Sequence, residues 1–221
     1  VAVERWLKEA PSDRAHLTLA TSHLQLGGKL LPTGATEEAE DTINKGVTIL
    51  NEFLKTSPDN LKAKSILSDL YSELGDVAKA KENSKDSAKH YQRALAIYEE
   101  MAAQDPRNAL ARLNVRFKAS QLGEALLDFD PAQAVTMLRK ALDRGPDARP
   151  LSPESRVHQM FTWLNLARAL WLTGDRPGAE AIVRDQQTLL QTVPASKIYA
   201  SGFFTHNAYL RLGNLLTDMG D

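Results

Sequence analysis

Residues 59–106 read DNLKAKSILSDLYSELGDVAKAKENSKDSAKHYQRALAIYEEMAAQDP. Two amphipathic helices are written into this stretch. Tyr71, Leu74, Gly75 and Ala78 recur at i, i+3, i+4 and i+7, the spacing of one helical face. Ser87, Tyr91, Ala94, Leu95 and Tyr98 repeat that spacing further on. Turn signals bracket the pair. Ser57-Pro58-Asp59-Asn60 and Asp105-Pro106-Arg107-Asn108 close one hairpin and open the next. Alternating β-branched runs are absent, so nothing reads as a strand. Ala, Leu, Glu and Lys are plentiful, which favours helix.

The stretch recurs. Shifting the chain by 48 residues places Ala15 on Ala63 and Ala111, and Leu19 on Leu67 and Val115. It places His23 on Tyr71 and Ala119, and Leu26-Gly27 on Leu74-Gly75 and Leu122-Gly123. Ile43 falls on Tyr91, Gly46 on Ala94, Leu50 on Tyr98 and Pro58 on Pro106. Two further copies follow at altered spacing. Trp163, Leu166, Ala167, Leu170 and Gly174 form one, and Tyr209, Leu212, Gly213, Leu216 and Gly220 the other. Repetition at this scale is the signature of stacked helical units. The units are expected at 1–11 (a second helix), 12–58, 59–106, 107–152, 153–194 and 195–221 (a first helix). The chain accordingly reads as a fragment cut within a hairpin at each end, since Val3, Trp6 and Pro11 match Leu50, Phe53 and Pro58. Thr36, Asp130 and Ser152 are expected N-caps, the last two followed by proline at the first helical position.

Gly27, Gly75, Gly123, Ala167 and Gly213 form a column of small residues inside expected helices. Glycine there costs about 1 kcal/mol relative to alanine. Close approach of the second helix of each hairpin is the expected compensation.

Charge and composition narrow the function. There are 27 basic and 28 acidic residues, a net of −1, so nucleic-acid binding and adhesion to anionic membranes are disfavoured as main roles. No apolar run approaches the ~20 residues of a membrane span. The N-terminus has no signal-peptide core. There is no cysteine, which excludes disulfides and thiolate metal sites and leaves the redox compartment open.

The repeated residues resemble the tetratricopeptide repeat. Copy four carries Trp163, Leu166, Ala167, Leu170, Gly174, Ala179, Val183 and Pro194, and copy one carries Leu26, Gly27, Leu30, Gly34, Ala39, Ile43, Gly46 and Pro58. The resemblance covers nearly the whole chain and implies an all-α, right-handed superhelical solenoid of antiparallel helix hairpins. The standard repeat is about 34 residues. These run 44 to 48, which implies longer helices, about 18 residues or ~27 Å each. Such long repeats resemble those appended to bacterial eukaryotic-like serine/threonine kinases and related signalling proteins. That likeness implies a regulatory or sensing segment of a larger protein.

The resemblance also implies a concave groove lined by first helices. Its expected residues are Ser72, Asp76 and Lys79 in copy two, and Ser120, Glu124 and Leu127 in copy three. Copy four offers Leu164, Arg168 and Trp171, and copy five Leu210, Asn214 and Thr217. The mixture of charge, amide and apolar anchors suits a protein or peptide partner. The carboxylate clamp of chaperone-binding members is not matched, because copy one has Leu24 and Gly28 where Lys and Asn are needed.

Catalytic signatures are missing. Gly27-Gly28-Lys29-Leu30 lacks the spacing and the hydroxyl of a phosphate-binding loop. The five histidines (His16, His23, His90, His158 and His206) are scattered, and His23 falls in a packing column. Asp128 and Asp130 sit at a turn, where capping outweighs acid chemistry. The lysines from Lys79 to Lys89 alternate with Glu82 and Asp86 as a solvated face. Trp6 and Trp163 fall in core columns, while Trp171 falls one place beyond. The expectation is a binding segment, not an enzyme, with no cofactor, metal, nucleic acid or membrane insertion. Oligomerisation through open solenoid ends is left open. So is the compartment: the cytoplasm, or the far side of a membrane if the segment is tethered behind a transmembrane span. The alternative is a small-ligand sensor using the same groove.

Overall fold

A computed structural model describes residues 13–145, 156, 159–192 and 202–220. Among these the chain is helical and contains no strand. Its helices are α1 (Asp13–Leu30), α2 (Thr36–Thr56), α3 (Leu61–Ala80), α4 (Ser84–Gln104) and α5 (Ala109–Leu126). Then come α6 (Pro131–Leu142), α7 (Met160–Leu172), α8 (Arg176–Thr192) and α9 (Gly202–Met219). Two compact units divide at Lys118–Ala119, inside α5. The expected units beginning at residues 1 and 195, and Ser152, Trp6 and Pro194, lie wholly or partly outside the described residues.

The turns act where the sequence placed them. Asn60 and Asn108, 48 positions apart, each end a short turn and cap the next helix. Their Oδ1 atoms accept from the amides of Ala63 and Ala111, both at 2.9 Å. Each cap contributes about 1 kcal/mol. Asp130 caps α6 as expected, accepting from the Gln133 amide at 3.0 Å ahead of Pro131. Thr36 does not cap. The helix already includes it, Ala35 holds the cap position, and the Thr36 hydroxyl donates to the adjacent Glu37 carboxylate instead. Gly34 turns the chain after α1 with φ 84°, a left-handed conformation that favours glycine.

In the first unit, α1 packs on α2, α2 on α3 and α3 on α4, while α1 also touches α3. The core is built from Ile43, Val47, Leu50 and Phe53 of α2 and from Ile66, Leu67, Leu70, Leu74 and Val77 of α3. The small-residue column explains how closely the helices approach. A Cβ on Gly27 would lie 2.3 Å from the Ile43 side chain, and one on Gly75 would lie 2.5 Å from the Tyr91 ring. Gly46 sits between His23 of α1 and Leu70 of α3. Two buried hydroxyls add polar ties: Ser68 donates to the Ala94 carbonyl at 2.8 Å, and Ser87 to the Gly75 carbonyl at 2.9 Å.

In the second unit, α7 packs on α6, α8 and α9. A Cβ on Gly123 would lie 2.6 Å from the Leu138 side chain, so the column holds here too. Ala167 is fully buried. Gly213 departs from the pattern, because a Cβ there meets nothing within 4 Å. Helix length is close to the expected value in α8 and α9, with 17 and 18 residues. α1 to α5 run 18 to 21 residues, whereas α6 and α7 have only 12 and 13.

Candidate binding face of the first helices

The expected first helices correspond to α1, α3, α5, α7 and α9. In the first unit α3 carries Asp69, Glu73 and Asp76 at i, i+4 and i+7, which places three carboxylates on one helical face. Lys118 of α5 reaches this face. Its side chain is only 4% exposed, yet its ammonium donates to Asp69 Oδ1 at 2.9 Å and Ser72 Oγ at 2.8 Å. Such a pair persists because both partners saturate the buried charge. Asp76 accepts from the Tyr91 hydroxyl at 2.5 Å. Glu73 makes no hydrogen bond among the described residues. Burial raises its pKa first, the nearby Asp76 and Asp69 raise it further, and Lys118 opposes them. Its carboxylate lies against Gly28 of α1, 3.4 Å from where a Cβ would stand.

Beside this acidic face lies an apolar one. Leu110, Leu113 and Phe117 of α5 are 66%, 56% and 58% exposed. They occur at i, i+3 and i+7, so they form one stripe along the helix. Lys118 joins the two surfaces, since its ammonium lies 5.4 Å from the centre of the Phe117 ring.

In the second unit Ser120 and Thr162 share a hydrogen bond of 2.9 Å between α5 and α7. Arg211 of α9 donates to Glu124 at 2.8 Å and to Asn165 at 3.0 Å, and lies 5.1 Å over the Phe161 ring. The Arg176 guanidinium lies 4.7 Å from the centre of the half-buried Trp171 ring.

The groove residues expected from sequence therefore occupy different environments. Lys79, Arg168, Leu210, Asn214 and Thr217 are exposed. Asp76, Ser120, Glu124 and Trp171 are half-buried, and all are engaged in the contacts above. Ser72, Leu127 and Leu164 are buried. Sequence reasoning passed over Asp69, Glu73, Lys118, Asn165 and Arg211. The i, i+4, i+7 spacing of the three carboxylates was a legible signal, whereas the partners of the two cations were not.

Among the described residues no group of three His, Asp or Glu side chains is arranged to hold a metal ion. No described helix is long and apolar enough to cross a membrane. A scan of protein-family models finds none that matches the chain, and a search of curated proteins finds no match either.

Proposed function

We propose that this chain is a segment of a tetratricopeptide-type solenoid. In this reading it binds a protein or peptide through its first helices and serves a regulatory or sensing role in a larger signalling protein, such as a bacterial serine/threonine kinase. The observation that carries the binding role is the exposure of Leu110, Leu113 and Phe117 side by side. A contiguous apolar stripe next to charged groups has the character of a macromolecular contact surface. The repeated hairpins with glycine at Gly27, Gly75 and Gly123 support the solenoid reading.

A second reading, a small-ligand sensor, draws on a different observation. An open hollow of about 700 Å³ lies along α1 and is lined mainly by polar residues, including Asp13, Arg14, Thr21, Gln25 and Lys62. It is not an enclosed apolar pocket of the usual ligand-binding kind.

The two readings separate in one experiment. A photoreactive residue is placed at position 113 and, as control, at the exposed Thr48 of α2. Irradiation in extract should yield adducts from position 113 and few from position 48. Equal labelling at both positions, together with a thermal shift on adding metabolites, would favour the small-ligand reading.

A further inference from the structure

We infer that His90 is an acid-released latch: when neutral it fastens α4 to α3 by packing on Tyr71, and protonation undoes that packing. The inference is independent of the partner proposed above. It rests on where the imidazole sits. The ring stacks on Tyr71 of α3, with centroids 6.5 Å apart and 25° between the planes. Its Nδ1 is buried and has no hydrogen-bond partner. An imidazolium carries a proton on both nitrogens. The proton on Nδ1 would then be a buried donor with no acceptor, which is costly.

The charges around the ring do not offset that cost. Arg93, three residues further along α4, holds its guanidinium 5.6 Å from the centre of the same Tyr71 ring. It repels a second cation there. The two carboxylates that would welcome one are already engaged. Asp86 of α4 pairs with Lys89 at 2.7 Å, and Glu40 of α2 pairs with Lys81 at 2.6 Å. Burial first, and Arg93 after it, hold the His90 pKa below its ordinary value against the pull of Asp86 and Glu40, and Lys89 adds a smaller push the same way. The unfolded chain therefore takes up this proton at higher pH than the folded one. The contribution of the latch is complete above the ordinary histidine value and is lost as pH falls from there through the lowered one.

The test uses the full 221-residue chain and its His90→Phe variant, which keeps a ring against Tyr71 and has no proton to gain. NMR of the imidazoles follows the titration, and the variant identifies the His90 signal. Hydrogen exchange, corrected for the intrinsic effect of pH, follows the amides of α3 and α4. His90 should titrate below about 6.5. Wild-type protection in α3 and α4 should fall severalfold as pH drops through that midpoint, while the variant keeps it. His90→Gln repeats the comparison should phenylalanine prevent folding.

A midpoint at or above the ordinary histidine value would overturn the latch. So would an equal loss of protection in wild type and variant. A loss spread evenly from α1 to α4 would show that the proton acts on the whole unit and not on this contact, and would overturn it likewise.

Discussion

The joint between α3 and α5 and the joint between α5 and α7 use the same register with different chemistry. In the first, Lys118, one place before the leading residue of its repeat, meets Ser72, one place after the leading residue of the repeat before. In the second, Thr162 and Ser120 occupy the corresponding places. The first joint buries a charge that must be matched, and the second closes with a neutral bond. The same register therefore accommodates either, and the side chains decide how much a broken partner costs.

The largest effect should come from leaving the charge behind. Asp69→Ala strands a buried ammonium with one hydroxyl and should cost about 3–5 kcal/mol in urea unfolding. Lys118→Met removes the buried charge itself and leaves Asp69, 44% exposed, to water, so its cost should stay within about 1 kcal/mol. Equal losses in the two variants would show that the attraction, and not the cost of desolvation, governs this joint.

The glycine column offers the next contrast. Gly75→Leu forces a side chain into the Tyr91 ring and should cost about 1–3 kcal/mol. Gly213→Ala meets open space in a helix and should gain up to about 1 kcal/mol. Thermal melts of the two variants moving in the same direction would break the proposed difference between the two positions.

Smaller still, Ser120→Ala should cost about 1 kcal/mol, the ordinary worth of a neutral hydrogen bond. A larger loss would bring the second joint close to the charged one.

The last prediction concerns pH. Folding raises the pKa of Glu73, so the folded state holds its proton more tightly than the unfolded chain does. Its contribution is therefore most favourable at acid pH and is lost as pH rises from the ordinary glutamate value through the raised one. Glu73→Gln should be more stable than the wild type at neutral pH, with the gap closing on acidification. Parallel stability–pH curves would contradict this.

Much of the fold was legible because it is local. The small residues at Gly27, Gly75 and Gly123 announced close helix contacts, and Asn60 and Asn108 marked the turns they close. Thr36 was misread because capping depends on which backbone amides are free, and Ala35 occupies the boundary. Ser72, Asp76, Ser120 and Glu124, singled out through their repeat positions, take part in side-chain hydrogen bonds between helices. Leu110, Leu113 and Phe117 were not singled out, since apolar residues at helical spacing ordinarily mark a buried side.

By itself the sequence determined the helices, their turns and the columns that bring them together, because period, capping and side-chain size act within a few residues. Only the tertiary structure decided that Lys118 reaches Asp69, 49 positions away, and that Arg211 reaches Glu124, 87 away. It also decided that the stripe on α5 stays uncovered. Pairing and burial at such separations depend on where whole helices come to rest. A cation or a leucine at a given helical position has the same local preferences whichever neighbour it meets.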